Sequence, residues 1–130
     1  MSYSNDWIEV ITFPVWDAGA AALANQGFRG PKGKEGRILD MGVRSVSEAF
    51  TATTLSAKLL VGTTSDADAY ALMDLGTTAI GDDARASTSD LDAIVQGTLP
   101  ADAQYELTGT SPTGGTPAGI GVPYIVVLWY

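Results

Sequence analysis

Carboxylates are the side chains of this chain most able to do chemistry, because the commoner reagents are missing. The 130 residues include no Cys and no His. Without Cys there is no disulfide, thiolate metal site or Cys nucleophile. Without His the most frequent metal ligand and general base is gone, and a Ser-His-Asp triad is excluded. Three acidic clusters remain: Asp66-Ala67-Asp68, Asp82-Asp83 and Asp90-Leu91-Asp92. Two carboxylates at the right separation can hydrolyse a glycoside. Asp66 and Asp68 also offer oxygen ligands to Ca²⁺, but the Gly and distal Glu of the Ca²⁺ loop are missing around them. Capping a turn is the plainer use of that pair, and no metal site is expected. Paired carboxylates arise by chance among fifteen acidic residues. No nucleophile motif accompanies them, so neither an enzyme nor a cofactor is expected.

The basic residues are the second candidate. Seven Lys and Arg against fifteen Asp and Glu give a net charge of −8, yet Arg29, Lys32, Lys34 and Arg37 fall together with only Glu35 opposing them. That segment carries +3 and leaves −11 on the rest of the chain. Gly30-Pro31-Lys32-Gly33-Lys34 lacks the Gly-Lys-Ser/Thr ending and the strand–loop–helix setting of a phosphate loop. Two readings stay open, a solvated connection and a basic loop that meets an acidic partner surface. An acidic chain repels phosphate backbones, so no nucleic-acid partner is expected. No membrane partner is expected either: the apolar run Ile125–Tyr130 is far short of the about 20 residues that span a bilayer, and Met1–Asp6 shows no leader pattern. The aromatic residues Trp7, Phe13, Trp16 and Phe28 crowd the same end of the chain, where they suit either a core or an interface.

The elements that must position these groups read as strands. Trp7–Phe13 is β-branched and aromatic and stops near Pro14, which lacks an N–H donor. Ala18–Ala24 is too short for a stable helix, and residues 17–36 form one long connection. In Arg37–Val46 the alternation places Leu39, Met41 and Val43 on one side. Ser56–Gly62 alternates with Ala57, Leu59 and Val61 inward. Tyr70–Leu75 and Thr77–Ile80 are short apolar stretches, and in Ala103–Gly109 Tyr105 and Leu107 share a face. Pro123–Tyr130 is apolar at both parities, as in a strand that is central or covered on both faces. Seven or eight short strands with frequent turn signals and no amphipathic helix predict an all-β fold, an antiparallel β-sandwich, jelly-roll-like. The expected division is an extended N-terminal arm and loop over residues 1–29 and one sandwich domain over residues 30–130.

Several segments together resemble a known family. They are Gly33-Lys34-Glu35-Gly36-Arg37-Ile38-Leu39-Asp40-Met41-Gly42-Val43, Ala57-Lys58-Leu59-Leu60-Val61-Gly62-Thr63, Asp66-Ala67-Asp68-Ala69-Tyr70-Ala71, Ile94-Val95-Gln96-Gly97-Thr98-Leu99-Pro100-Ala101-Asp102, Ser111-Pro112-Thr113-Gly114-Gly115-Thr116-Pro117-Ala118-Gly119 and Val126-Val127-Leu128-Trp129-Tyr130. In this pattern the chain is similar to small virion structural proteins of tailed bacteriophages, especially capsid decoration (cement) proteins, over roughly residues 30–130. The resemblance implies a sandwich on the outside of the head, made in the host cytoplasm. It implies self-association as a homotrimer and contacts that bridge neighbouring major capsid proteins. The expected interface residues are then Trp7, Phe13, Trp16, Phe28, Arg29, Lys32, Lys34 and Arg37. The alternative is a carbohydrate-binding or adaptor module of a phage tail or fibre, with Tyr105, Trp129 and Tyr130 as a stacking platform.

Overall fold

The computed structural model describes residues 6–86 and 98–130. Its strands are Trp7–Thr12 (β1), Trp16–Asp17 (β2), Leu23–Phe28 (β3), Gly36–Glu48 (β4), Lys58–Gly62 (β5), Ala71–Asp74 (β6), Ala84–Arg85 (β7), Thr98–Leu99 (β8), Tyr105–Thr110 (β9) and Ile120–Trp129 (β10). One sheet runs β1-β10-β4-β7, with β2 also on β10 and β8 also on β4. The other runs β3-β9-β5-β6. Every pairing is antiparallel. The architecture is therefore all-β, two antiparallel sheets on one apolar core, as the alternation predicts.

β10 lies between β1 and β4, which explains its apolar character at both parities. Ile125, Val127 and Trp129 point into the core and are fully buried, as are Met41 and Val43 of β4. The second sheet contributes Leu59 and Val61, Met73, and Tyr105 with Leu107, all equally buried. Aromatic rings bind the layers: Tyr105 stacks on Trp129 at 6.2 Å between centroids, Phe28 lies 5.2 Å from Tyr105, and Phe13 meets Phe28 edge-on at 6.0 Å. Such pairs add about 0.5–1.5 kcal/mol each to the burial of their surface. The indole N–H of Trp129 donates to Glu9 Oε1 at 2.9 Å, so the largest core side chain has its polar atom paired.

Three expectations are corrected. Residues 1–29 do not form an arm apart from the sandwich, because residues 7–28 supply β1 and β2 to one sheet and β3 to the other. The long connection over residues 17–36 is interrupted by β3, whose Asn25, Gln26 and Gly27 carry little β-propensity. That strand is an edge with a register shift between Leu23 and Gln26, and it is held by pairing with β9. Leu39 is not in the core: a register shift in β4 pairs Ile38 with Val127 and Asp40 with Val126, leaving Leu39 as the extra residue and 38% exposed. A bulge moves the following side chains to the other face, which a period-two reading does not anticipate.

The Tyr105 hydroxyl donates to the Pro100 carbonyl, and the ring is fully buried. Burial, then the neighbouring Tyr70 and Asp102, pushes this phenol above its ordinary value near 10. A raised folded-state value means that the folded protein holds the proton more tightly than the unfolded chain. The associated stability is complete below the ordinary tyrosine value and is lost as pH climbs from there through the raised one. Tyr105→Phe is expected to flatten the alkaline fall in thermal midpoint. Its cost at neutral pH is about 1 kcal/mol for the lost hydrogen bond. A pH series of thermal melts on both proteins checks this, and parallel alkaline slopes would contradict it.

Candidate docking surface

β1 is the edge of its sheet. It pairs with β10 through an unbroken register from Trp7↔Trp129 to Thr12↔Tyr124, and among the described residues no strand occupies its other side. Edge strands are commonly blunted by bulges, Lys or Pro. β1 has no bulge and no Lys or Pro; Pro14 follows two residues beyond its end. Its one charge, Glu9, points inward to Trp129. Opposite residues of an antiparallel pair share a face. Ile8 therefore lies beside Leu128 and Val10 beside Val126 on the outer face of the sheet. Ile8 is 62% exposed and Val10 52%.

The basic loop meets this strand at one end. Lys34 Nζ sits 5.3 Å from the centroid of the Trp7 ring, a cation–π contact, and Trp7 is itself 43% exposed. The loop is fixed rather than loose. Gly33 N donates to Asp102 Oδ1 at 2.8 Å, and Lys34 N to the Pro31 carbonyl at 3.1 Å. Glu35 and Tyr130 exchange backbone hydrogen bonds at 3.0 and 2.9 Å. A Cβ on Gly30 would lie 2.3 Å from the Trp129 ring, so the loop rests directly on that indole. Arg29 donates from Nε to Gln104 Oε1 at 2.8 Å, Lys32 is exposed, and Arg37 opposes Leu128 on the outer face. Among the described residues the ion pair is Arg85–Asp83, so none of these four cations is in one.

The eight expected interface residues thus separate. Trp7, Arg29, Lys32, Lys34 and Arg37 all reach the surface: Lys34 meets Trp7 at the end of β1, Arg37 lies on the outer face beside Leu128, and Arg29 reaches Gln104. Phe13, Trp16 and Phe28 lie in the core instead, at 7%, 3% and 9% exposure, where the apolar volume between the sheets needs them. Ile8, Val10 and Tyr130 add exposed apolar surface that is not among the eight expected interface residues. An exposed alternation of Ile8 and Val10 looks like a buried strand until its neighbours are known. The stacking platform is corrected too: Tyr105 and Trp129 are fully buried, and only Tyr130, 43% exposed, reaches solvent.

The acidic clusters take other places. Asp66 and Asp68 lie exposed on the turn between β5 and β6, where Thr63 N donates to the Asp66 carbonyl at 2.8 Å. The Asp68 side chain, by hydrogen bond and charge, raises the Asp66 carboxyl above its ordinary value. Among the described residues no third acidic side chain joins them in a metal-binding group. Asp83 pairs with Arg85 at 3.2 Å, while Asp90 and Asp92 lie outside the described residues. Among the described residues no helix is long and apolar enough to cross a membrane.

No protein-family model, no curated protein and no solved structure matches this chain.

Proposed function

We propose that the protein acts by binding, as a capsid decoration protein of a tailed bacteriophage that docks on the outer surface of the head and bridges major capsid proteins. One observation supports the docking mode above the others: the apolar edge strand β1, uncovered on its other side among the described residues, ends beside Lys34 of a basic loop whose cations have no ion pair among the described residues. An apolar centre with charges at its rim is the anatomy of a protein interface. The cations select an acidic partner surface, while the −11 on the rest of the chain keeps the undocked faces apart from one another. Trp7 and Ile8 are the anchors and Lys34 and Arg37 orient the approach. A homotrimer belongs to the same reading, because three weak contacts held together dissociate far more slowly than one.

The experiment is to mix the purified chain with undecorated heads of tailed bacteriophages, and to sediment the heads. Saturable co-sedimentation at physiological salt, and a trimer mass by light scattering, are expected. Absence of binding would contradict the decoration role, and a strict monomer would contradict the trimer.

A further inference from the structure

The backbone groups of β1 divide between its two sides. Opposite residues of an antiparallel pair alternate between those that exchange hydrogen bonds and those that turn their backbone groups away. Phe13 N donates to the Pro123 carbonyl at 2.9 Å, one step beyond the Thr12↔Tyr124 pair. The register back to Trp7 is unbroken, so Ile11, Glu9 and Trp7 also bond to β10. Ile8, Val10 and Thr12 then turn their N–H and C=O groups to the open side. The far side of β10 agrees: Tyr130 and Glu35 exchange hydrogen bonds there, which leaves Trp129 to bond toward β1. Ile8, Val10 and Thr12 also share the outer face of the sheet, and all three are exposed.

A second copy of β1 fits this edge. Turned about a twofold axis through Val10, it sets Val10 against Val10, Ile8 against Thr12 and Thr12 against Ile8. Each of these pairs exchanges two hydrogen bonds, so every outward group of β1 finds a partner. Opposite residues share a face, so the two Val10 side chains meet on the axis, Ile8 meets the Thr12 methyl, and Glu9 lies opposite Ile11 on the other face. The neighbouring register, centred on Glu9, sets two carboxylates opposite each other, which is destabilising.

The charges at the two ends of the strand suit the same arrangement. Carried one residue back, the parity of β1 places Asp6 on the outer face, diagonal to Thr12 of the second copy. The Thr12 hydroxyl accepts from Arg44 Nη2 at 2.7 Å, and Arg44 is in no ion pair among the described residues. Diagonal neighbours lie about 7–8 Å apart, within reach of a long side chain. The twofold therefore brings Asp6 of each copy to Arg44 of the other. We propose that β1 pairs edge to edge, antiparallel, with β1 of a second copy, so that the β1-β10-β4-β7 sheets of the two copies become one. This twofold contact is separate from the threefold contact of a trimer. It uses the backbone of β1, whereas head docking uses side chains, so either can fail alone.

The test is amide exchange of the full chain, followed by NMR from micromolar to millimolar concentration at physiological salt. The Ile8, Val10 and Thr12 amides are expected to exchange fast when dilute and to slow by roughly tenfold on concentration, as mass action requires. The Glu9 and Ile11 amides, bonded to β10, stay slow throughout. Val10→Pro removes an outward N–H and spares the β10 ladder, a place where an edge strand accepts Pro. Val10→Lys is a second variant that keeps the N–H and sets two like charges against each other on the axis. Both are expected to melt as the unchanged chain does when dilute, and to show about half its mass or less by light scattering when concentrated. Slow exchange of the three outward amides at every concentration would mean that the chain covers its own edge, and fast exchange at every concentration that the edge stays open. Either result, or full mass in folded Val10→Lys, would overturn the proposal.

Discussion

Trp129→Ala is expected to destabilise the protein by about 3–5 kcal/mol, the cost of emptying a large aromatic site in a packed core. Domains of this kind are stable by only about 5–15 kcal/mol in total, so most of the margin is at risk. The reasons lie in three contacts of one side chain. The indole stacks on Tyr105 from the opposite sheet at 6.2 Å. It forms the surface on which Gly30 and Gly36 sit, where a Cβ would approach it to 2.3 and 2.5 Å. Its N–H donates to Glu9, so truncation removes a side-chain hydrogen bond between β10 and β1. Urea denaturation followed by circular dichroism measures the loss. Trp129→Phe keeps part of the stack and is expected to cost less. A midpoint for Trp129→Ala equal to that of the unchanged chain would contradict this picture of the core.

Gly42→Val has the second largest expected effect, through a different mechanism. A Cβ at Gly42 would fall 1.8 Å from the Ala84 carbonyl oxygen and 2.8 Å from its carbon. Both are backbone atoms, so no rotamer change relieves the clash. The close approach is what lets the two-residue β7 pair with β4 at Gly42↔Arg85 and Val43↔Ala84. Overpacking costs about 1–3 kcal/mol where the structure can adjust. Here the adjustment is release of β7. Hydrogen exchange is expected to accelerate at Ala84 and Arg85 and to stay slow at Leu59 and Val61 in the other sheet. Gly33→Asn is the control, because φ there is +76°, nothing lies within 4 Å, and Asn tolerates that conformation. Unchanged exchange at β7 in Gly42→Val would show that the pairing does not depend on the missing side chain.

Much of the fold was legible because its signals are local. The double apolar parity of Ile125–Leu128 marks a central strand, and Ala57, Leu59 and Val61 point inward as their alternation requires. Leu39 was misplaced because a bulge is a property of the pair β4–β10, not of β4 alone. Leu23–Phe28 carries no strand signal of its own because pairing with β9, rather than its own Asn, Gln and Gly, makes it a strand. Trp16 and Phe28 lie in sequence without period, so only the closed fold shows that they fill the core. The docking surface was half legible: four cations in nine residues stand out, but the exposure of Ile8 and Val10 follows from β1 being an edge. The outward backbone of Ile8, Val10 and Thr12 was illegible, because only the register of β1 on β10 decides which residues turn away.

Docking through β1 and Lys34 is tested most directly by head binding with paired variants. Ile8→Asp places a charge on the exposed apolar edge, and Lys34→Glu reverses the cation beside Trp7. Val15→Asp makes the Ile8 change at a residue 67% exposed between β1 and β2, outside that surface. All three positions are at the surface, so melting temperatures close to that of the unchanged chain are expected. Ile8→Asp and Lys34→Glu are each expected to weaken binding to undecorated heads by roughly thirtyfold or more, the 2 kcal/mol scale of an interface anchor, while Val15→Asp binds as the unchanged chain does. Full binding by folded Ile8→Asp and Lys34→Glu would contradict docking through this surface.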